Sequence, residues 1–86
     1  MNQEVFPIKE SVINDLKNAL AEKFIEARQE AGLSQRKLEK LSGVKQPVIA
    51  RMEKGYTAPH LDTILKILTP LGKTLEIVPL NKKHHK

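Results

Sequence analysis

Leu33-Ser34-Gln35-Arg36-Lys37-Leu38-Glu39-Lys40-Leu41-Ser42-Gly43-Val44-Lys45-Gln46-Pro47-Val48-Ile49-Ala50-Arg51-Met52-Glu53-Lys54-Gly55 is the stretch that decides the fold. Three residues punctuate it. Ser34 has the hydroxyl that caps a helix, Gly43 accepts the positive φ that closes one, and Gly55 stops a second. Between these marks Leu38, Leu41, Val44, Ile49 and Met52 recur at helical spacing and define an inward face. Lys45, Gln46, Ala50, Arg51 and Lys54 are thereby turned outward on the second helix. Two short helices, a tight turn and a basic outer face form a helix-turn-helix of the kind that reads DNA. An ordinary helical hairpin with a solvated basic face is the competing reading.

The same residues resemble the helix-turn-helix of the Xre family, that of the phage lambda repressor and Cro. The likeness lies in the Leu33-Ser34-Gln35 opening, the Leu38-x-x-Leu41-x-Gly43-Val44 centre and the Ile49-x-x-Met52-Glu53-x-Gly55 ending. It is specific rather than compositional and favours DNA binding over the plain hairpin. The fold it implies is all-α, a lambda-repressor-like bundle of four to five helices.

Working outward from the motif, charge supports this reading. Residues 1–27 carry three bases and five acids, residues 28–57 seven bases and three acids, and residues 58–86 five bases and two acids. The middle third, which holds the proposed reading head, is the most basic, as an electrostatic footprint on phosphates requires. An 86-residue chain forms one domain, too small for a separate catalytic one. It has no cysteine, so neither a disulfide framework nor a thiolate metal site is expected. No apolar run approaches membrane-spanning length, and the start lacks a basic region followed by an apolar one, so a cytoplasmic, nucleoid-associated protein is expected. The three histidines have no serine, carboxylate pair or phosphate-cradling loop beside them, and neither enzymatic activity, a cofactor nor a metal is expected.

Upstream of the motif, residues 1–10 lack a sustained period and contain Pro7, and read as a flexible arm. From Ser11, a candidate cap, the domain proper runs over residues 11–71. Val12, Leu16, Ala19, Leu20, Phe24, Ala27 and Ala31 recur at three- and four-residue steps in a first helix that Gly32 ends. This helix is longer than a minimal Xre first helix. Two dispositions of its early turns, with Ile13 and Leu16, stay open: reaching toward a partner, or folding back on the domain. The resemblance further implies that Arg28 pairs with Glu53, fixing the angle between helices; an exposed, idle pair is the alternative.

Ser34, Gln35 and Arg36, with Lys37, open the next helix. Bases there oppose the helix dipole, which is understandable if the N-terminus faces a DNA phosphate; Arg36 and Lys37 pointing into water is the other reading. By resemblance, Lys45, Gln46 and Pro47 enter the major groove, with Ala50 and Arg51 one turn later and Lys54 on phosphate. Gln46 suits an adenine edge, Arg51 a guanine, and Pro47 or Ala50 a thymine methyl. Relatives often have serine or threonine where Lys45 stands, so this helix lacks its usual cap. Tyr56 and Thr57 fall in a loop that follows the phosphate backbone in such repressors, unless Tyr56 only covers the core edge.

A fourth helix starts near Leu61 and buries Leu61, Ile64, Leu65 and Leu68, with His60 at its cap, and Pro70 ends or kinks it. Residues 72–80 read as a β-strand, and a lone strand is not stable in water. Leu75, Ile77 and Val78 are therefore expected to pair antiparallel with a second copy in a homodimer on a palindromic operator. Residues 81–86 read as a disordered tail in which His84 and His85 are not a metal site. The ending Leu71-Gly72-Lys73-Thr74-Leu75-Glu76-Ile77-Val78-Pro79-Leu80 resembles the HigA/HipB-like antitoxins of type II toxin–antitoxin systems. The function so implied is an antitoxin that binds a toxin protein and represses its own operon, with a stand-alone phage- or plasmid-type repressor as the alternative.

Overall fold

Four α-helices and a closing 3₁₀ turn account for the regular structure of the computed structural model, which describes residues 8–80. The histidine tail and most of the expected N-terminal arm lie outside those residues. The helices are α1 (Glu10–Glu30), α2 (Gln35–Ser42), α3 (Gln46–Glu53) and α4 (Leu61–Leu68). No helix among the described residues is long and apolar enough to cross a membrane.

The local causes are visible at each junction. α2 starts where Ser34 Oγ accepts the Lys37 N–H at 3.0 Å, and it stops where Gly43 takes φ +79°. That left-handed residue turns the chain into α3, whose first turn carries Pro47, a position where the missing N–H costs nothing. α3 ends at Gly55, φ +74°, where an added Cβ would stand 3.0 Å from Asn18 Oδ1 of α1. α4 gives way at Pro70 to the 3₁₀ turn Thr69–Leu71. α1 departs from expectation at its start: Lys9 occupies the cap position without a side-chain cap, and Ser11 lies inside the helix.

Phe24, Leu38, Val44, Ile49, Met52, Ile67 and Leu68 form the core, with Leu33, Val48, Ile64 and Leu71 packed against it. Leu38 and Ile49, one from each motif helix, are the most deeply buried side chains. Burying one such side chain contributes about 1.5–3 kcal/mol. The motif is thus fixed to the domain from both of its helices.

Two expectations about buried residues need correction. Leu41 is 57 % exposed, because the buried side of α2 runs through Gln35, Leu38 and Ser42. Half-buried Ser42 instead turns its hydroxyl to accept the Val44 N–H at 3.0 Å, satisfying the backbone of the turn. Leu61 stays exposed at the first turn of α4, and Ile67 is buried in its stead. Residues 73–80 take no regular structure in the single chain, which has no second strand among its described residues.

Candidate nucleic-acid interface

α3 presents Gln46, Pro47, Ala50, Arg51 and Lys54 on the face opposite buried Ile49 and Met52. Pro47, Arg51 and Lys54 are exposed, as is Lys45 at the cap position, whereas Gln46 and Ala50 are half-buried. No side-chain cap holds the start of α3 from Lys45. The substitute comes from α2: Glu39 Oε1 accepts the backbone N–H of Gln46 at 3.1 Å. A carboxylate at a helix N-terminus also meets the positive end of the helix dipole. Sequence reading missed Glu39, though Lys45 in place of a capping residue was the available signal.

Behind this face, α1, α2 and α3 share one hydrogen-bonded chain. Arg28 Nε donates to Glu53 Oε2 at 2.7 Å and Arg28 Nη2 to Glu53 Oε1 at 2.9 Å, while Nη1 donates to the Leu33 carbonyl at 2.9 Å. The two side chains are 13 % and 8 % exposed. The hydrogen bonds from Arg28 to Glu53, opposed by burial and helped by the nearby negative charge, hold the Arg28 pKa above its ordinary value. This bidentate pair is shielded from water, unlike the surface pair of Lys23 and Glu26 at 3.6 Å.

Glu53 Oε1 also accepts Gln35 Nε2 at 2.9 Å, and Gln35 Oε1 accepts Gln46 Nε2 at 2.6 Å. The order of these bonds sets the direction of both amides. An ionised carboxylate only accepts, so Gln35 must offer its NH₂ to Glu53 and its oxygen to Gln46. Gln46 therefore spends one N–H inward and keeps its oxygen and second N–H for an outside partner. Acceptor and donor side by side match the N6 amino group and N7 of adenine in the major groove. Gln46 is held by α2 twice, through its backbone at Glu39 and through its side chain at Gln35.

Ser34 caps α2 and is exposed, with Arg36 exposed beside it. The N–H groups of Gln35 and Arg36, in the first turn, have no intrahelical acceptor. Beyond α3, Tyr56 is exposed rather than set into the core edge, and Thr57 is half-buried. Leu75, Ile77 and Val78 are exposed.

Comparison with known proteins places the fold in a family. Residues 24–78 match the family described as Helix-turn-helix. The chain is 55 % identical over 82 residues to a protein described as an uncharacterized HTH-type transcriptional regulator of Haemophilus influenzae, covering 95 % of this chain and 84 % of that one. It also superimposes on a chain from a solved toxin–antitoxin module of Streptococcus pneumoniae with a TM-score of 0.67. That likeness has 56 % identity and covers 88 % of this chain and 84 % of the other.

Proposed function

The chain belongs to the helix-turn-helix family of DNA-binding transcriptional regulators, and from that premise we propose that it is an antitoxin which represses its own operon as a dimer. The observation that carries DNA reading is the Glu53–Gln35–Gln46 relay, which presets one amide on the outer face of α3. Around it, Lys45, Arg51 and Lys54, with Arg36 and the first-turn N–H groups of α2, supply contacts to phosphate and a second base reader at Arg51. Ser34, Pro47, Ala50, Tyr56 and Thr57 complete the surface laid against the duplex.

Dimerisation follows from the C-terminal segment. Leu75, Ile77 and Val78 are exposed on a stretch whose β-branched and apolar residues suit a strand. Antiparallel pairing with the same stretch of a second chain covers them. It also sets two α3 helices for the half-sites of a palindrome.

The antitoxin role is supported by the likeness to the Streptococcus pneumoniae chain. The Haemophilus influenzae relative is described only as a transcriptional regulator, which favours the second reading, a stand-alone repressor. Two measurements test the proposal. Purified protein is expected to shift its own promoter fragment at low ionic strength and to prefer an inverted repeat. Co-expression with the adjacent gene is expected to yield a stable complex; a free regulator with no bound protein would leave the stand-alone repressor.

A further inference from the structure

Of the four side chains linked behind α3, two have a direction of their own and two do not. A guanidinium only donates and an ionised carboxylate only accepts, whereas a glutamine amide turned over exchanges its oxygen for its NH₂ within the same shape. Gln35 and Gln46 therefore take their polarity from elsewhere. It enters at Glu53, whose Oε1 accepts twice, from Arg28 Nη2 at 2.9 Å and from Gln35 Nε2 at 2.9 Å, while Oε2 accepts Arg28 Nε at 2.7 Å.

Burial makes this polarity stringent. Glu53 is 8 % exposed and Arg28 13 %, so little water is at hand to stand in for a lost donor. Turning Gln35 over would set its oxygen against the carboxylate, acceptor to acceptor, and would give up a charge-assisted hydrogen bond. Gln35 is thereby held with its oxygen toward Gln46 Nε2, at 2.6 Å. The same pair that ties α1 to α3 thus reaches, through two amides, to the outer face of α3.

We infer that Arg28 and Glu53 are positioning residues for base choice: resting on the DNA reading proposed above, their ion pair sets the polarity of the Gln35 and Gln46 amides and so decides which base Gln46 accepts. With an acceptor-only group at position 53, Gln46 offers its oxygen and one N–H outward, the pattern that meets N6 and N7 of adenine. A donor-only group at position 53 reverses the chain. Gln35 then gives its oxygen inward and its NH₂ to Gln46, and Gln46 spends its own oxygen on Gln35. Only N–H donors are left outward, which suit the O6 and N7 acceptors of guanine.

The test is binding of the full chain to its promoter fragment, varied one base pair at a time, with a random duplex as the common reference. Gln46→Ala locates the position that Gln46 reads, where wild type is expected to prefer adenine. Arg28→Met with Glu53→Leu removes the pair without leaving a lone buried charge, a replacement that proteins often tolerate; thermal melting checks that it folds. At the Gln46 position this variant is expected to lower the adenine preference from the tenfold or so of a bidentate contact to about threefold or less. Preferences at other positions are expected to stay within about twofold, as independent sites do. The Leu33 carbonyl also loses its Arg28 donor, but weakening from that cause falls on every duplex alike and cancels in the ratio. Arg28→Glu with Glu53→Arg exchanges the charges and is expected to move the preference at the same position to guanine.

Gln46→Ala that relaxes no position overturns the DNA reading of α3 and this inference with it. A Gln46 position that stays sharp in the apolar pair variant overturns the inference alone and leaves Arg28 and Glu53 to the packing of α1 on α3. So does a Gln46 position at which wild type prefers a base other than adenine, or a folded charge-exchanged chain that still prefers adenine. Where the charge-exchanged chain does not fold, the apolar pair and the wild-type preference decide.

Discussion

Glu39 of α2 caps α3: its carboxylate accepts the backbone N–H of Gln46 at 3.1 Å, the service that Lys45 at the cap position does not perform. Glu39→Ala is therefore expected to lower stability by about 1 kcal/mol, the usual worth of an N-cap. In a domain of this size that is a fall of roughly 4–8 °C in Tm. Glu39→Gln keeps an acceptor and is expected to lose less. Adding Lys45→Ser to Glu39→Ala is expected to recover only part of the loss, because the Val48 N–H that a capping serine would take already donates to the residue 45 carbonyl at 2.9 Å, and the Gln46 N–H stays without Glu39. Thermal unfolding of the four proteins decides it, and an unchanged Tm for Glu39→Ala would remove the cap from the account.

The punctuation of the motif was legible in the sequence because each mark is a local property. The Ser34 hydroxyl, the left-handed Gly43 and Gly55 and the ring of Pro70 act within a few residues of themselves. What sequence could not supply depended on direction. Leu38 and Leu41 both fit a helical stripe, yet only the packed domain shows that the buried side turns toward Ser42 and away from Leu41. Leu61 likewise fits the stripe of α4 but sits at its exposed end. The candidate site divides in the same way. Gln35 and Gln46 were nameable separately from the motif, but their bond and the reach of Glu39 across the turn join residues 11 and 7 positions apart.

Arg28→Lys is expected to be far from conservative. Lysine keeps the charge but cannot reproduce two parallel bonds to one carboxylate, and since the pair is 13 % and 8 % exposed, Arg28→Met, which leaves Glu53 without its partner, is expected to cost about 3 kcal/mol and Arg28→Lys a large part of that. Urea unfolding measures this directly. The hydrogen bonds to Glu53 raise the Arg28 pKa above its ordinary value, so its contribution is whole below the unfolded value and is lost only as pH rises through the folded one. Across the neutral range the Arg28 charge is therefore expected to add no slope to stability.

Gln46→Ala is expected to cost operator binding about 1–3 kcal/mol and to relax the preference at one base position. Gln35→Ala leaves the Gln46 amide in place but free to turn over. Its signature is a loss of discrimination at that same position with a smaller loss of affinity. Binding to a set of operators varied one base at a time separates the two. If Gln35→Ala relaxed a different position, the relay would not be setting the Gln46 amide.

Lys54→Ala and Arg36→Ala remove cations proposed for phosphate, whereas Arg51→Ala removes a proposed base reader. The first two are expected to weaken all DNA sequences alike and to lower the salt slope of log affinity by about 1 each. Arg51→Ala is expected to weaken the operator most and to relax one position. Titrations at three salt concentrations against operator and random DNA distinguish these outcomes. Operator affinity untouched by Arg51→Ala would mean that the reading face is misplaced.

Ile77 is 100 % exposed in the single chain, on a segment with no pairing partner of its own. Exposure of a β-branched side chain beside Leu75 and Val78 is unfavourable for a free chain, and it is relieved when two such segments pair and cover each other. Ile77→Lys puts like charges near the proposed two-fold axis and is expected to yield monomers by light scattering while leaving the melting of the helical domain nearly unchanged, since Ile77 is not among its core residues. The monomer keeps α3 intact but loses the linkage between half-sites. Affinity for a single half-site is then expected to persist while the advantage of an inverted repeat disappears. A dimer that survived both Ile77→Lys and Leu75→Asp would place the two-fold contact elsewhere on the chain.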